Sequence, residues 1–236
     1  AGGVAITQTA SVTVTNQPPP GITHTLLTSG HDPTNTSTYT TAAIAPAANA
    51  LVTVAVLTHQ SSAAAPSPTL TGGGMAGWTV VASVAYNGAT PLDRLTIYRA
   101  MSSSPGSGPI TITSSVTVSN CQWIVSQWSG VDQSGTNGSG AIVQTASATG
   151  SAVTSLTAAL AAFASSSDVA YGAFGAASAT AVISAGSGFT TIDQQPSGEG
   201  TVGDLFAERA LNLPAVTASW SSRNAGALGV EIKAAP

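Results

Sequence analysis

Charge is what this 236-residue sequence has least of: 5 Lys+Arg and 9 Asp+Glu make up 6% of the chain, where a soluble domain carries about 25%. A folded chain of 23.0 kDa exposes on the order of 9,600 Å², so its formal charges stand roughly one per 690 Å² of surface. The basic residues are scattered and the net charge is −4, which excludes nucleic acid as the primary partner, since phosphate binding needs clustered Lys and Arg. Cysteine is nearly absent. Cys121 stands alone, so neither an intrachain disulfide nor a cysteine zinc cluster is available, and the redox compartment stays open. Long apolar runs are missing too. No stretch approaches 18 consecutive apolar residues, and the first residues show neither the basic flank nor the apolar core of a signal peptide or anchor, so no membrane insertion is expected.

What is present in quantity is small and uncharged: 42 Ala, 32 Thr, 31 Ser and 25 Gly. A hydroxyl coat can hydrogen-bond water without carrying charge. The mean hydropathy of +0.28 and the many β-branched residues argue for a packed core and against disorder.

The dominant period is two. In Pro109–Val118, Ile110, Ile112, Val116 and Val118 alternate with Thr111, Thr113, Ser115 and Thr117, the pattern of a half-buried antiparallel strand. Val12 and Val14 follow the same rule, as do Val216, Ala218 and Trp220. Leu228, Val230 and Ile232 read as inward, with Gly229, Glu231 and Lys233 outward. Leu51–Leu57 is apolar on both faces and reads as a central strand. Ser155–Ser165 has helical propensity, but Leu156, Ala158 and Leu160 alternate, and it is assigned to strand. Ser29-Gly30, Asn87-Gly88, Pro105-Gly106, Asn137-Gly138 and Ser197-Gly198 read as turns. The fold class expected is an all-β antiparallel sandwich.

Pro18-Pro19-Pro20-Gly21 reads as an extended linker. It divides residues 1–20, an N-terminal arm that packs on a neighbouring subunit or caps an edge of its own domain, from a sandwich domain over 21–236. Within that domain Leu95–Met101 resembles Leu205–Leu211, Trp78–Val81 resembles Phe189–Ile192, and Asn49–Leu57 can be laid on Ser167–Gly175. The chain then reads as two related halves, about 24–132 and 141–234. Such halves would form one sandwich from equivalent strands or two small sandwiches sharing an interface.

Candidate sites are few. His24, His31 and Asp32 lie near one predicted turn, but their spacing matches no tight metal motif, and three scattered histidines read as surface or strand-end residues. His59, at the end of the central strand, reads as a hydrogen-bonded imidazole. No metal and no cofactor is expected. There is no G-x-S-x-G elbow, and Gly72-Gly73-Gly74 and Gly135–Gly140 read as loops, so no catalytic residue is assigned and the protein is read as a non-enzyme. Glu199, Asp204 and Glu208 are the one acid cluster; Glu208 beside Arg209 reads as a structural ion pair and Asp204 with Glu199 as a loop or a calcium-type oxygen site, the structural reading being favoured. Asn35-Thr36-Ser37 and Asn137-Gly138-Ser139 are glycosylation sequons. The ligand or interface candidates are aromatic: Trp128 on a face with Gln122, and Tyr98 on a face with Arg94. Such groupings suit a sugar-stacking platform or a protein interface. Against this stands the reading of Trp128 as a cap on the core.

The run Trp123-Ile-Val-Ser-Gln-Trp-Ser-Gly130-Val131-Asp132, the polar Gly-rich loop after it, Ala141-Ile142-Val143, and Trp220 through Ile232 together resemble β-sandwich modules of tailed-phage virion proteins and of multidomain secreted bacterial proteins. The resemblance covers about residues 25–234 and marks strands and turns, so it carries over no functional residue. It implies a jelly-roll-like fold and a structural or adhesive role at a virion surface or outside the cell. The expected function is a capsid decoration or head-fibre component, with the major capsid protein, other virion proteins or a second copy of itself as partner. The alternative is a secreted carbohydrate-binding or adhesion module with polysaccharide as partner.

Overall fold

The structure is a computed structural model that describes residues 21–177, 182–197 and 204–236. The arm over residues 1–17 with its Val12 and Val14, the prolines at 18–20, Gly198 and Glu199 lie outside the described residues.

Every regular element described is a strand: β1 (Thr23–Asp32), β2 (Thr36–Ile44), β3 (Leu51–His59), β4 (Thr69–Gly72), β5 (Thr79–Tyr86), β6 (Asp93–Met101), β7 (Gly108–Val118), β8 (Asn120–Ser129), β9 (Ile142–Ala159), β10 (Val169–Ala176), β11 (Ser184–Ala185), β12 (Thr190–Gln195), β13 (Asp204–Leu211) and β14 (Ala215–Ile232). All pairings are antiparallel. The fold is an all-β sandwich with a five-stranded sheet of order β1-β8-β3-β6-β5, a six-stranded sheet of order β11-β14-β10-β13-β12 in which β9 also pairs with β14, and a smaller sheet β2-β7-β4 outside the first.

Three cores separate these layers. Between the two main sheets lie Leu51, Ala55, Leu57, Leu95, Ile97, Ile124 and Trp128 from one side, and Val169, Tyr171, Ala173, Leu205, Leu228, Val230 and Ile232 from the other. The opposite face of the first sheet, with Val52, Val54, Val56, Tyr98 and Val125, packs under Tyr39, Leu70, Ile110 and Ile112 of the small sheet. The opposite face of the second sheet, with Ala170, Phe174, Phe206 and Ala227, packs under Ala158, Val216, Ala218 and Trp220. Those last residues belong to β9 and β14, so these 18-residue strands fold over and cover their own sheet. The fold-over has visible causes. Register breaks fall at Ser219, Arg223 and Ala225, Ala152 takes φ 54°, and the paired glycines Gly172 and Gly229 leave room for Val216.

The two main sheets repeat one plan. Leu51 opposes Met101 where β3 meets β6, and Val169 opposes Leu211 where β10 meets β13, the same register under the alignment of the two halves. A bulge between Val80 and Ala82 in β5 recurs between Thr191 and Asp193 in β12. Across the central core the order is reversed, β1 lying over β12 and β5 over β9, as a pseudo-two-fold relation requires.

Several local expectations change. Ser29-Gly30 is no turn but the interior of β1. Glycine is needed there because a Cβ at Gly30 would fall 2.8 Å from the Trp123 ring. Val116 is 48% exposed while Ser114 is buried, because the pairing of β2 with β7 breaks register between Thr36 and Thr38. The strand expected over Ser155–Ser165 stops at Ala159. Glu231, read as outward, is buried, since the second face of its sheet is covered as well.

Candidate functional site

The four aromatic-site candidates do not form a surface group. Trp128 and Gln122 are fully buried and Tyr98 is 2% exposed. Trp128 and Gln122 face the central core, whereas Tyr98 and Arg94 face the core under the small sheet. Trp128 donates its indole N–H to Thr53 Oγ1 at 2.9 Å and its ring lies against His24 and Tyr171. Tyr98 donates to the Pro68 carbonyl. Arg94 donates to the Ala65 carbonyl at 2.7 Å and to Ser83 Oγ at 3.3 Å, pinning the segment before β4. A sugar platform on Trp128 or Tyr98 is therefore excluded by burial. The period-two pattern correctly separates the faces, but here both faces are interior.

The other groups are also reassigned. His24 bonds Ser126 Oγ at 3.0 Å, and its burial, helped by Arg209, lowers its pKa to about 4. Asp32 caps the turn at Thr34, and no group of three or more potential metal ligands occurs among the described residues. Glu208 and Arg209, adjacent on a strand, point to opposite faces and make no ion pair with each other. Glu208 instead accepts from the Gly186 amide at 3.1 Å, and burial raises its pKa to about 7 against the pull of the Gly186 and Thr217 amides. Asp204 accepts from Gln194 Nε2 and from the Ser197 amide. Asn137 is engaged by the Met101 amide, the Gly77 carbonyl and Thr79.

The structure assembles two polar sites that sequence spacing does not reveal. At one end of the central core, His59 Nδ1 bonds Asp93 Oδ1 at 2.7 Å, with both side chains buried. Asn87 Nδ2 donates to the other Asp93 oxygen at 2.7 Å, and Asn224 Nδ2 donates to Asn87 Oδ1 at 2.9 Å. Asn224 Oδ1 in turn accepts from Ser151 and the Ala152 amide. This chain crosses from one half to the other. His59, Asn87 and Asn224 line a cleft of about 380 Å³, and Asn87 and Asn224 also line an adjoining one of about 420 Å³ with Thr149 and Ser151. The carboxylate fixes the Nδ1–H tautomer or the imidazolium of His59, leaving Nε2 as the ring's other polar atom. Among the described residues no side-chain hydroxyl or thiol bonds the His59 ring, whose one bonded partner is Asp93.

At the opposite end, Asp168 and Glu231 share a cleft of about 390 Å³ with Lys233. Lys233 Nζ pairs with Asp132 Oδ2 at 2.6 Å, which holds the Asp132 carboxyl at about 2 together with bonds from Ser134. Burial raises the pKa of Glu231, and the neighbouring Asp168 carboxyl adds to the rise. The one sequence signal for either site is the placement of an acid or histidine at or next to a strand end, beside residues apolar on both faces.

No family model, no curated protein and no solved structure matches this chain. No helix among the described residues is long and apolar enough to cross a membrane.

Proposed function

We propose that this chain is a structural module of an extracellular assembly, most concretely a virion surface protein that decorates a capsid or head fibre by docking on a protein lattice. One observation carries the reading. The outer face of β2-β7-β4 bears three Thr-x-Thr segments in register, Thr38 beside Thr113 beside Thr69 and Thr40 beside Thr111 beside Thr71. The intervening Tyr39, Ile112 and Leu70 are buried. None of the three strands contains a charged residue. Strand geometry sets these hydroxyls about 4.8 Å apart across strands and about 7 Å apart along them, a regular neutral surface. Interface cores are depleted of charge, and a repeated lattice accumulates repulsion if its modules carry net field.

The test is co-sedimentation with capsids that lack the protein. The wild type is expected to bind, and the pair Thr111→Lys and Thr113→Lys is expected to lose at least about tenfold in affinity with its melting midpoint preserved. Strictly monomeric behaviour with no capsid binding, or polysaccharide binding that these substitutions abolish, would overturn the virion reading.

A further inference from the structure

The Asp168–Glu231 pair supports an inference independent of the assembly role. Ala170 opposes Glu231 and Val169 opposes Ile232 where β10 pairs with β14. Asp168, just before β10, therefore shares the face of Glu231 as its diagonal neighbour. The two carboxyl groups line one cleft and are 3% and 1% exposed. Asp168 Oδ1 accepts from the Ala234 amide at 2.9 Å, and Glu231 Oε2 from Gln144 Nε2 at 2.5 Å. Glu231 Oε1 is enclosed and receives no donor. Two carboxylates cannot accept from one another, so only a proton or a cation can join them.

We propose that Asp168 and Glu231 form a divalent-cation site of the Ca²⁺ class. The ligands the site offers are the two carboxylates, in a cleft also lined by Ser134, Ser139 and Ser165, and hard oxygen ligands select Ca²⁺ over the softer metals. The cleft has room for the waters that complete a shell of six to eight oxygens. Charge agrees. Among the described residues the Lys233 ammonium bonds Asp132 and neither carboxyl of the pair, so one divalent ion would balance both carboxylates. Such an ion would tie β14 and its C-terminal continuation to the loop before β10. That continuation also joins the halves, since Asp132 and Ala235 exchange backbone bonds with Lys233 and Gly130.

The experiment is calorimetric titration of the chelator-treated full chain with CaCl₂, alongside thermal melts. Saturable binding is expected in the range of extracellular calcium modules, about 10⁻⁴ to 10⁻³ M, with a rise in melting midpoint. Asp168→Asn and Glu231→Gln should each weaken binding by about tenfold or more, while Glu208→Gln, a buried carboxyl in the outer layer, leaves it unchanged. If either pair variant fails to fold, the wild type decides alone. No heat and no midpoint shift at millimolar Ca²⁺ means that a proton joins the carboxyls and overturns the proposal, as does full binding by Asp168→Asn.

Discussion

Tyr86 sets how closely the two main sheets approach. Its ring lies over Gly175 and Gly226, which are register partners on the facing sheet. A Cβ at Gly226 would fall 2.5 Å from Tyr86 Cδ1, and one at Gly175 2.2 Å from its hydroxyl oxygen. Neither glycine has positive φ, so the requirement is space and not backbone conformation. Gly226→Ala should therefore cost about 1–3 kcal/mol through overpacking, read as a lower urea midpoint at unchanged slope. In a Tyr86→Ala background the same substitution should cost much less, because the two changes act on one contact. Additive losses would show that the glycine serves something else.

At the scale of elements, β13 and β6 occupy equivalent places, and the alignment of the halves sets Glu208 where Tyr98 stands. Both side chains reach out to the backbone of the covering layer, Tyr98 to Pro68 and Glu208 to Gly186. A buried carboxyl has a pH consequence that a phenol lacks. With its pKa raised from 4.5 to about 7, the folded protein binds more protons at this group than the unfolded chain between those values. Stability from Glu208 is thus full below pH 4.5 and falls as pH rises through 7, by roughly 3 kcal/mol at most. Glu208→Gln should flatten this component, so that the variant gains on the wild type between pH 5 and pH 8 in paired denaturation curves. A difference that is constant with pH would refute it. Much of this layer was legible beforehand: β3 as a central strand, the inward Val216, Ala218 and Trp220, and the correspondence of β6 with β13 all follow from period and similarity. What could not be read was that both main sheets are covered on both faces. Alternating Ser and Thr look solvent-facing in a strand, yet Thr53, Thr96 and Ser126 are buried, and for that reason Trp128 and Tyr98 read as candidates for a surface platform, whereas the competing reading of Trp128 as a core residue is the one its burial bears out. The Asp168–Glu231 and His59–Asp93 pairs join residues 63 and 34 positions apart, and only strand register brings them together.

For the whole molecule, the central core has a thermodynamic consequence. Among the described residues, half of its buried side chains come from residues before 132 and half from residue 141 onward, so neither half keeps its inner face dry if the other unfolds. Exposing Trp128, Leu57 and Ile97 on one side would cost about 1.5–3 kcal/mol for each large side chain, more than a domain of ordinary marginal stability can lose in sequence. Unfolding should therefore be a single transition. The tryptophans permit a direct check, because Trp78, Trp123 and Trp128 lie in the first half and Trp220 in the second. In a Trp220→Phe background all indole fluorescence reports on the first half. Glu208→Gln, which lies in the second half, should still displace that fluorescence transition, by the same midpoint shift seen in far-UV circular dichroism. A first-half signal indifferent to residue 208, or two separated transitions, would show that the halves are independent sandwiches that merely touch.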